Sequence, residues 1–261
     1  MLKWKGVCKM SKKEDRLGEF GYNNNGERMT IVRYGNAKDI DIQFDDGTIV
    51  EHKQYDNFKN GKVSNPMSPT VWGIGCIGIG KFKTTDENGK ETKCYMTWND
   101  MYGRCYDPKF HEKHSTYENC SVAEEWHNYQ AFAKWNDENY YEVGNEKMTL
   151  DKDILCKGNK VYSPETCVFV PQFINTLFVK SNKIRGKYPL GVSKYGNKFQ
   201  AQLNKYNKKI HLGYYDTPEE AFLAYKKAKE EYIKEVAEEY KSQIPHKLYE
   251  ALVNYEVEID D

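Results

Sequence analysis

Apolar and polar residues alternate over much of the first quarter of the chain. In "TIVRYGNAKDIDIQFDDGTIV", residues 30–50, the apolar positions include Ile31, Ile40, Ile42 and Phe44. Asp46-Gly47 lies between two such runs and is a frequent hairpin turn. Short strands joined by glycine-containing turns predict a small all-β barrel within residues 1–67. The two prolines of "SNPMSPT", residues 64–70, predict a linker after it.

A helical period replaces the alternation in the middle of the chain. Trp98, Met101 and Cys105 share one face of a predicted helix in "ETKCYMTWNDMYGRCYDP". A second helix is predicted in "SVAEEWHNYQAFAKWNDENY", with Ser121 as N-cap and Glu124 completing a capping box. "MTLDKDIL" and "VYSPETCVFVP" then predict a β-hairpin, and "QFINTLF" predicts a short helix. Residues 71–180 therefore have the element order of a ββα core with flanking helices.

Residues 183–240 predict three strands and one long helix. Phe199, Ala201 and Leu203 alternate with polar residues, so one face of the predicted sheet is apolar and the other is polar. Thr217, followed by Pro218 and two glutamates, marks the helix start. The small helix face that packs on the sheet has four members: Ala221, Ala224, Tyr225 and Ala228. The pattern as a whole predicts a multidomain α+β protein.

The glycine run "VWGIGCIGIGKF", residues 71–82, lacks the spacing of a phosphate-binding loop. We interpret it as a glycine-rich strand whose missing side chains allow another stretch of backbone to pack closely. The seven cysteines show no zinc spacing and are odd in number, which favours buried free thiols.

The charge balance of the whole chain is neutral, with 39 basic and 39 acidic residues. Neither a continuous apolar run of membrane-spanning length nor a signal-peptide core is visible, which predicts a cytoplasmic protein without a membrane partner. Locally the charge is uneven. From Lys180 to Lys209 there are nine basic residues and no acidic residue, whereas residues 241–261 form an acidic tail. The basic block predicts a local anion-binding surface.

The sequence "LDKDILCKGNK", residues 150–160, contains the candidate chemistry. The combination "W..MYGRCYDP…LDKDI…Y.PE.C.FVP..IN" resembles a phage family of HNH-endonuclease-like proteins over residues 98–175. The resemblance implies Asp151 or Asp153 as metal ligand, Asn175 as the helix ligand, and Asn159 as a residue that orients the base. The position of the general-base histidine of that family falls on or near Lys152 here.

A lysine is charged near neutral pH unless it is strongly desolvated, so Lys152 is a poor general base. Two alternatives follow. Either a Mg2+- or Mn2+-dependent nuclease recruits a base from His111, His114 or His127, or the site is degenerate. In the second case Asp151 and Asp153 cap turns and pair with Lys152 in a ββα scaffold.

"GV…G.F.A.L……..LG.Y.T.EEA..AY..A" resembles AP2/ERF-type DNA-binding domains over nearly their whole length. Such domains lay the exposed face of their sheet in the major groove of double-stranded DNA. The resemblance therefore implies DNA contacts by outward and turn residues of this segment. They are Ser193, Tyr195, Lys198, Gln202, Asn204, Lys205, Lys208, Lys209 and His211.

"NNNGERMTIVRY…DIDIQFDDGTIV" further resembles an SH3-like barrel found at the start of many phage proteins. Together the three resemblances imply a DNA-binding protein of phage or mobile-element origin, which would reside in the host cytoplasm. The alternative is a protein-binding inhibitor of a host defence nuclease, similar to anti-CRISPR proteins and built on a homing-endonuclease scaffold.

Overall fold

The computed structural model describes residues 16–178 and 187–259. Lys180, Lys183 and Arg185 of the basic block lie outside the described residues. The described chain separates into two units: residues 16–81 with 128–130, and residues 82–127 with 131–259. Both strands and helices occur, which confirms the mixed α+β class. The SH3-like, HNH-like and AP2-like identities of its parts stay predictions.

The first unit contains a four-stranded antiparallel meander whose order follows the sequence. Its strands are β1 Phe20–Tyr22, β2 Arg28–Asn36, β3 Asp39–Phe44 and β4 Ile49–Lys53, followed by helix α1 Tyr55–Lys59. The predicted hairpin turn joins β3 to β4, and Gly47 has a φ of +87° there. The alternating apolar residues form the core, together with Met29, Val50, Phe58 and Val63.

The glycine run packs closely against another segment, as predicted, but residues 71–82 form isolated bridges and not the predicted strand. Residues 128–130 lie against it, since the Tyr129 amide donates to the Cys76 carbonyl at 2.9 Å. A Cβ atom on Gly78 would lie 2.1 Å from the Asn128 side chain, and one on Gly80 would lie 2.3 Å from that of Gln130. Side chains at these two positions would exclude residues 128–130 from this arrangement.

The second unit begins with helices α2 Lys93–Tyr106 and α3 Pro108–Lys113. Trp98, Met101 and Cys105 of α2 are buried together, as their spacing predicted. The prediction of a helix capped at Ser121 was wrong. Residues 121–122 form strand β5, residues 124–127 a 3-10 turn, and helix α4 is Tyr129–Asn139. The apolar stripe that suggested one long helix is still buried, but along these three elements.

The predicted hairpin is present with a different second strand. Strand β6 Met148–Asp151 pairs antiparallel with β8 Val168–Pro171, and helix α5 Gln172–Thr176 follows at once. The intervening strand β7 Val161–Tyr162 pairs in parallel with β5 instead. The order strand, strand, helix predicted for residues 148–176 is therefore confirmed, with a longer connection between the strands.

The three-stranded sheet near the C-terminus has the order β11-β10-β9 and is antiparallel throughout. Its elements are β9 Val192–Tyr195, β10 Lys198–Lys205, β11 Lys208–Tyr215 and helix α6 Pro218–Tyr240, which packs across one face. The predicted helix start at Thr217 is confirmed, and the structure adds a capping box there: the Glu220 amide donates to the Thr217 hydroxyl at 3.2 Å, and the Glu220 carboxylate accepts from the Thr217 amide.

One hydrophobic core joins segments that the sequence assigned to separate domains. Val168, Val170 and Ile174 pack in the same cluster as Leu203 and Phe222. The C-terminal segment, described as an acidic tail from its charge, contains helix α7 His246–Val253 and contributes Leu248, Leu252 and Val257 to this core. Among the described helices, none is long and apolar enough to cross a membrane.

Candidate functional site

Asp151, the last residue of β6, caps the turn that follows it. Its Oδ1 atom accepts the backbone N–H groups of Asp153 at 2.9 Å and Ile154 at 2.8 Å. Burial, followed by the charge of Asp153, raises the pKa of the Asp151 carboxyl to about 6. The Oδ1 atom of Asp151 is therefore engaged in holding the turn.

Lys152 is buried, with only 6% of its surface exposed. Its Nζ atom donates to the Asp153 carboxylate at 3.1 Å and to the Asn159 carbonyl at 3.0 Å. The rings of Tyr117 and Tyr162 lie 5.8 and 5.9 Å from the same ammonium group. Burial alone would lower the pKa of Lys152, but the charge of Asp153 and other neighbours outweighs it, so the pKa is raised. Lys152 is therefore a protonated ammonium group fixed by hydrogen bonds, and it cannot accept a proton from water near pH 7.

Asn159 closes the loop between β6 and β7. Its Nδ2 atom donates to the carbonyls of Lys152 and Val161, each at 2.7 Å, and its Oδ1 atom accepts the Val161 amide at 3.2 Å. The predicted orienting residue therefore orients the loop backbone. No imidazole is among the partners of its side chain.

Asn175, the predicted helix ligand, is half-buried in α5. Helix α5 begins directly after Pro171, which pairs with Met148 at the start of β6, whereas Asp151 pairs with Val168. The strand pairing thus brings Asp151 to the end of the hairpin opposite the start of the helix. The register does not itself bring Asn175 and the two carboxylates together.

The three histidines considered as alternative bases make contacts elsewhere. His111 Nε2 is 2.8 Å from the Arg104 carbonyl, and His127 Nε2 is 3.1 Å from the Val122 carbonyl. The ring of His114 stacks on Phe110 with 4.4 Å between centroids. The described geometry gives none of them a contact with Asp151 or Asp153.

One group of His, Cys, Asp or Glu side chains in the described part of the chain could hold a metal ion. It consists of Asp39, Asp41 and His52 in the first unit, with ligand atoms within 4.8 Å of one another. This cluster has no recognisable spacing in the sequence, because its members come from the two strands β3 and β4.

A guanidinium group already occupies this cluster. Arg33 donates from Nη2 to Asp39 and to Asp41, both at 2.7 Å, and from Nε to Asp41. Its hydrogen bonds lower the pKa of both carboxyls. His52 Nδ1 lies 2.8 Å from Asp39 Oδ1. In chemical terms Arg33 supplies the positive charge that a metal ion would otherwise bring.

The second candidate site is the polar face of the β9–β11 sheet, on the side away from α6. Alternation along β10 turns Ala201 and Leu203 toward the buried core, so their polar neighbours point outward. The register adds residues of β9 and β11 to this surface. We call it the outward sheet face; its members are Ser193, Tyr195, Lys198, Gln200, Gln202, Asn204, Lys209, His211 and Tyr214.

Seven of the nine residues predicted to contact DNA lie on the outward sheet face. The two others differ. Lys205 belongs to the helix-facing side, where its ammonium pairs with Glu235 and lies 5.3 Å from the Tyr232 ring centroid. Its strand partner Lys208 is exposed at the rim, next to the turn. The prediction that Lys205 contacts DNA from the exposed face is therefore wrong, because its side chain lies on the helix-facing side.

Gln200 and Tyr214 belong to the outward sheet face but were missed from the sequence. Gln200 Nε2 lies 2.8 Å from His211 Nδ1, and the rings of His211 and Tyr214 are 4.5 Å apart. The alternation along β10 could have identified Gln200. Tyr214 could not be found in this way, because a bulge shifts the register between Ala201 and Gln202.

Comparisons with known proteins neither extend nor contradict these observations. No protein-family model, no curated protein and no solved structure matches this chain.

Proposed function

We propose that this protein binds double-stranded DNA through the outward sheet face and does not cleave it. The supporting observation is the division of the β9–β11 sheet into two faces. One is packed on α6, while the other exposes lysine, amide, imidazole and tyrosine groups to solvent. A sheet that keeps such a face uncovered has hydrogen-bonding groups available for a polyanion.

The side chains of this face suit two kinds of contact. Lys209 has no carboxylate partner among the described residues, and Lys198 has only an exposed one, Asp216 at 3.2 Å. Such ammonium groups suit phosphate contacts, which orient a protein on DNA. Gln202 and Asn204 carry amides that can donate to and accept from a base edge in the major groove.

The same proposal assigns a supporting role to the hairpin around Lys152. The residues that correspond to the metal site of HNH enzymes do not fit a metal here. Asp151 Oδ1 is engaged by two amides, and a charged ammonium group lies beside Asp153. We therefore derive no Mg2+- or Mn2+-dependent step. Residues 148–176 serve as a ββα scaffold that shares its core with the DNA-binding sheet.

A salt titration of duplex binding tests this proposal. Fluorescence anisotropy of a labelled duplex should give an affinity that falls linearly as the logarithm of salt concentration rises. Three phosphate contacts, by Lys198, Lys208 and Lys209, would produce a slope of about −3. No binding at low salt would refute the proposal. It would instead favour the alternative of an inhibitor that binds a host defence nuclease, which requires no affinity for DNA.

A further inference from the structure

Two exposed tyrosines of the outward sheet face contact each other across the central strand. Tyr195 on β9 and Tyr214 on β11 have ring centroids 4.9 Å apart, with 35° between the ring planes. Their strand partners on β10 are Lys198 and Gln200. We call Tyr195 and Tyr214 the tyrosine pair; it lies above the start of the central strand β10.

The tyrosine pair is unusually open to solvent for two aromatic side chains. Tyr195 is 61% exposed and Tyr214 is 46% exposed. Two rings that contact each other without being covered leave a broad aromatic surface. Such a surface gains free energy when another flat aromatic group stacks on it.

Hydrogen-bonding groups and cations surround the tyrosine pair. His211 lies against Tyr214 and is joined to Gln200, so an imidazole and an amide border the rings. Lys198 lies beside Tyr195, and Lys209 is further along the same face. A ligand suited to this arrangement has a flat ring, polar ring edges and an attached negative charge. A nucleotide with an unpaired base has all three.

We propose that the tyrosine pair is a stacking site for an unpaired nucleobase at the edge of a duplex, such as a frayed end, an overhang or a flipped base. This proposal rests on the proposed DNA-binding function and adds a substrate preference to it. Bases inside an intact duplex present only their edges, so they cannot use the faces of these rings. An unpaired base can stack on them.

Three labelled duplexes of identical paired sequence test the preference. One is blunt, one carries a short single-stranded overhang, and one carries the same overhang without bases. The abasic overhang keeps the phosphates, so it separates stacking from charge. The protein should bind the overhang duplex roughly tenfold more tightly than the other two. Equal affinity for the overhang and the abasic overhang would overturn the proposal.

Variants locate the effect on the protein. Tyr214→Ala and Tyr195→Ala should each weaken binding of the overhang duplex more than binding of the abasic-overhang duplex, so that most of the preference is lost. Tyr22→Ala is the matched control, because Tyr22 is an exposed tyrosine of the first unit. Thermal denaturation verifies that each variant is folded. A preference that survives in both sheet variants would overturn the assignment. Failure of the unmodified protein to bind any duplex would refute the proposed function itself.

Discussion

Lys152 and Asn159 bind each other through two hydrogen bonds that run in opposite directions. The Lys152 ammonium donates to the Asn159 carbonyl at 3.0 Å, and the Asn159 amide donates to the Lys152 carbonyl at 2.7 Å. The pair closes the loop after β6 and holds the ammonium inside it. At the position where the HNH resemblance predicts a general base, this chain has a lysine held by two reciprocal hydrogen bonds.

Removing the Asn159 side chain should destabilise the second unit. Asn159→Ala deletes two donated hydrogen bonds and one accepted bond, while the Val161 carbonyl still accepts from the Thr166 hydroxyl. We expect the free energy of unfolding to fall by about 2 kcal/mol in urea titrations. Asn25→Ala, at an exposed turn of the first unit, is the control and should change it by less than about 0.5 kcal/mol. Equal effects of the two substitutions would contradict a stabilising role for the hydrogen bonds between Lys152 and Asn159.

The protein should not cut plasmid DNA with Mg2+ or with Mn2+. Lys152 stays charged, and Asp151 and Asp153 are engaged in a turn and an ion pair. Supercoiled plasmid incubated with each metal should remain supercoiled on an agarose gel. Mg2+-dependent cutting that disappears in Asp153→Ala and Asn175→Ala would contradict this account. It would also direct the search for a base to His111, His114 and His127.

Asp151 should make the second unit less stable as the pH rises. Its pKa is raised from the ordinary aspartate range to about 6 in the folded chain, so between about pH 4 and 6 the folded state binds more protons than the unfolded state. The contribution is complete below the unfolded pKa and is lost as the pH passes through 6. Asp151→Asn removes this titration but retains an oxygen that can accept the two amides.

Thermal denaturation from pH 4 to 8 measures this effect as a difference between two curves. Relative to the Asn variant, the unmodified protein should lose stability between pH 4 and 6 and then run parallel to it. The comparison cancels the other carboxyls; those of Asp39, Asp41 and Asp46 have lowered pKa values and therefore act in the opposite direction. A difference that is constant with pH would show that the Asp151 carboxyl has an ordinary pKa.

Arg33 should prevent the cluster of Asp39, Asp41 and His52 from binding zinc. Zinc accepts imidazole nitrogen and carboxylate oxygen, and the cluster offers both once the guanidinium group is removed. We expect Zn2+ to leave the melting temperature of the unmodified protein unchanged but to raise that of Arg33→Met. Adding His52→Ala to that variant should abolish the rise. An equal Zn2+-dependent rise in the unmodified protein would mean that the ion displaces Arg33.

The features that sequence predicted well are those fixed by local spacing. The alternation along β10 identified the buried side of the sheet, and Thr217 with Glu220 identified the start of α6. The glycine run indicated close backbone packing, and the Asp-Gly pair gave the β3–β4 turn. In each case the signal lies within a few residues, so no distant contact was needed to interpret it.

The features that sequence missed depend on distant partners or on a break in periodicity. Simple alternation from His211 would turn Gly213 and Tyr215 outward. Leu212 is the extra residue of a β-bulge, and the next residue, Gly213, has a φ of +139°. Because of this extra residue, Tyr214 points outward instead. Ser121 resembles a helix cap, but its backbone pairs with Val161, about forty residues later in the chain.

Shared packing limits what a short fragment can show about DNA binding. Tyr206, in the turn between β10 and β11, stacks on Phe173 of α5 with ring centroids 5.8 Å apart. Its hydroxyl donates to Glu239, and its amide donates to Tyr232. The turn beside Lys208 and Lys209 is therefore supported by the ββα segment, and binding experiments require the whole chain.

DNA binding by the outward sheet face is tested most directly by reversing the charge of one lysine on that face and, separately, of one lysine on the exposed side of α6. Lys209 belongs to the outward sheet face, whereas Lys234 is an exposed residue of α6 on the opposite layer. Lys209→Glu and Lys234→Glu change the net charge equally, so long-range electrostatics alone would weaken duplex binding to a similar extent. We predict that anisotropy at a fixed low salt concentration will show a loss of affinity of about tenfold or more for Lys209→Glu. For Lys234→Glu the loss should be no more than about twofold. Equal losses, or a greater loss for the α6 variant, would contradict DNA binding by the outward sheet face.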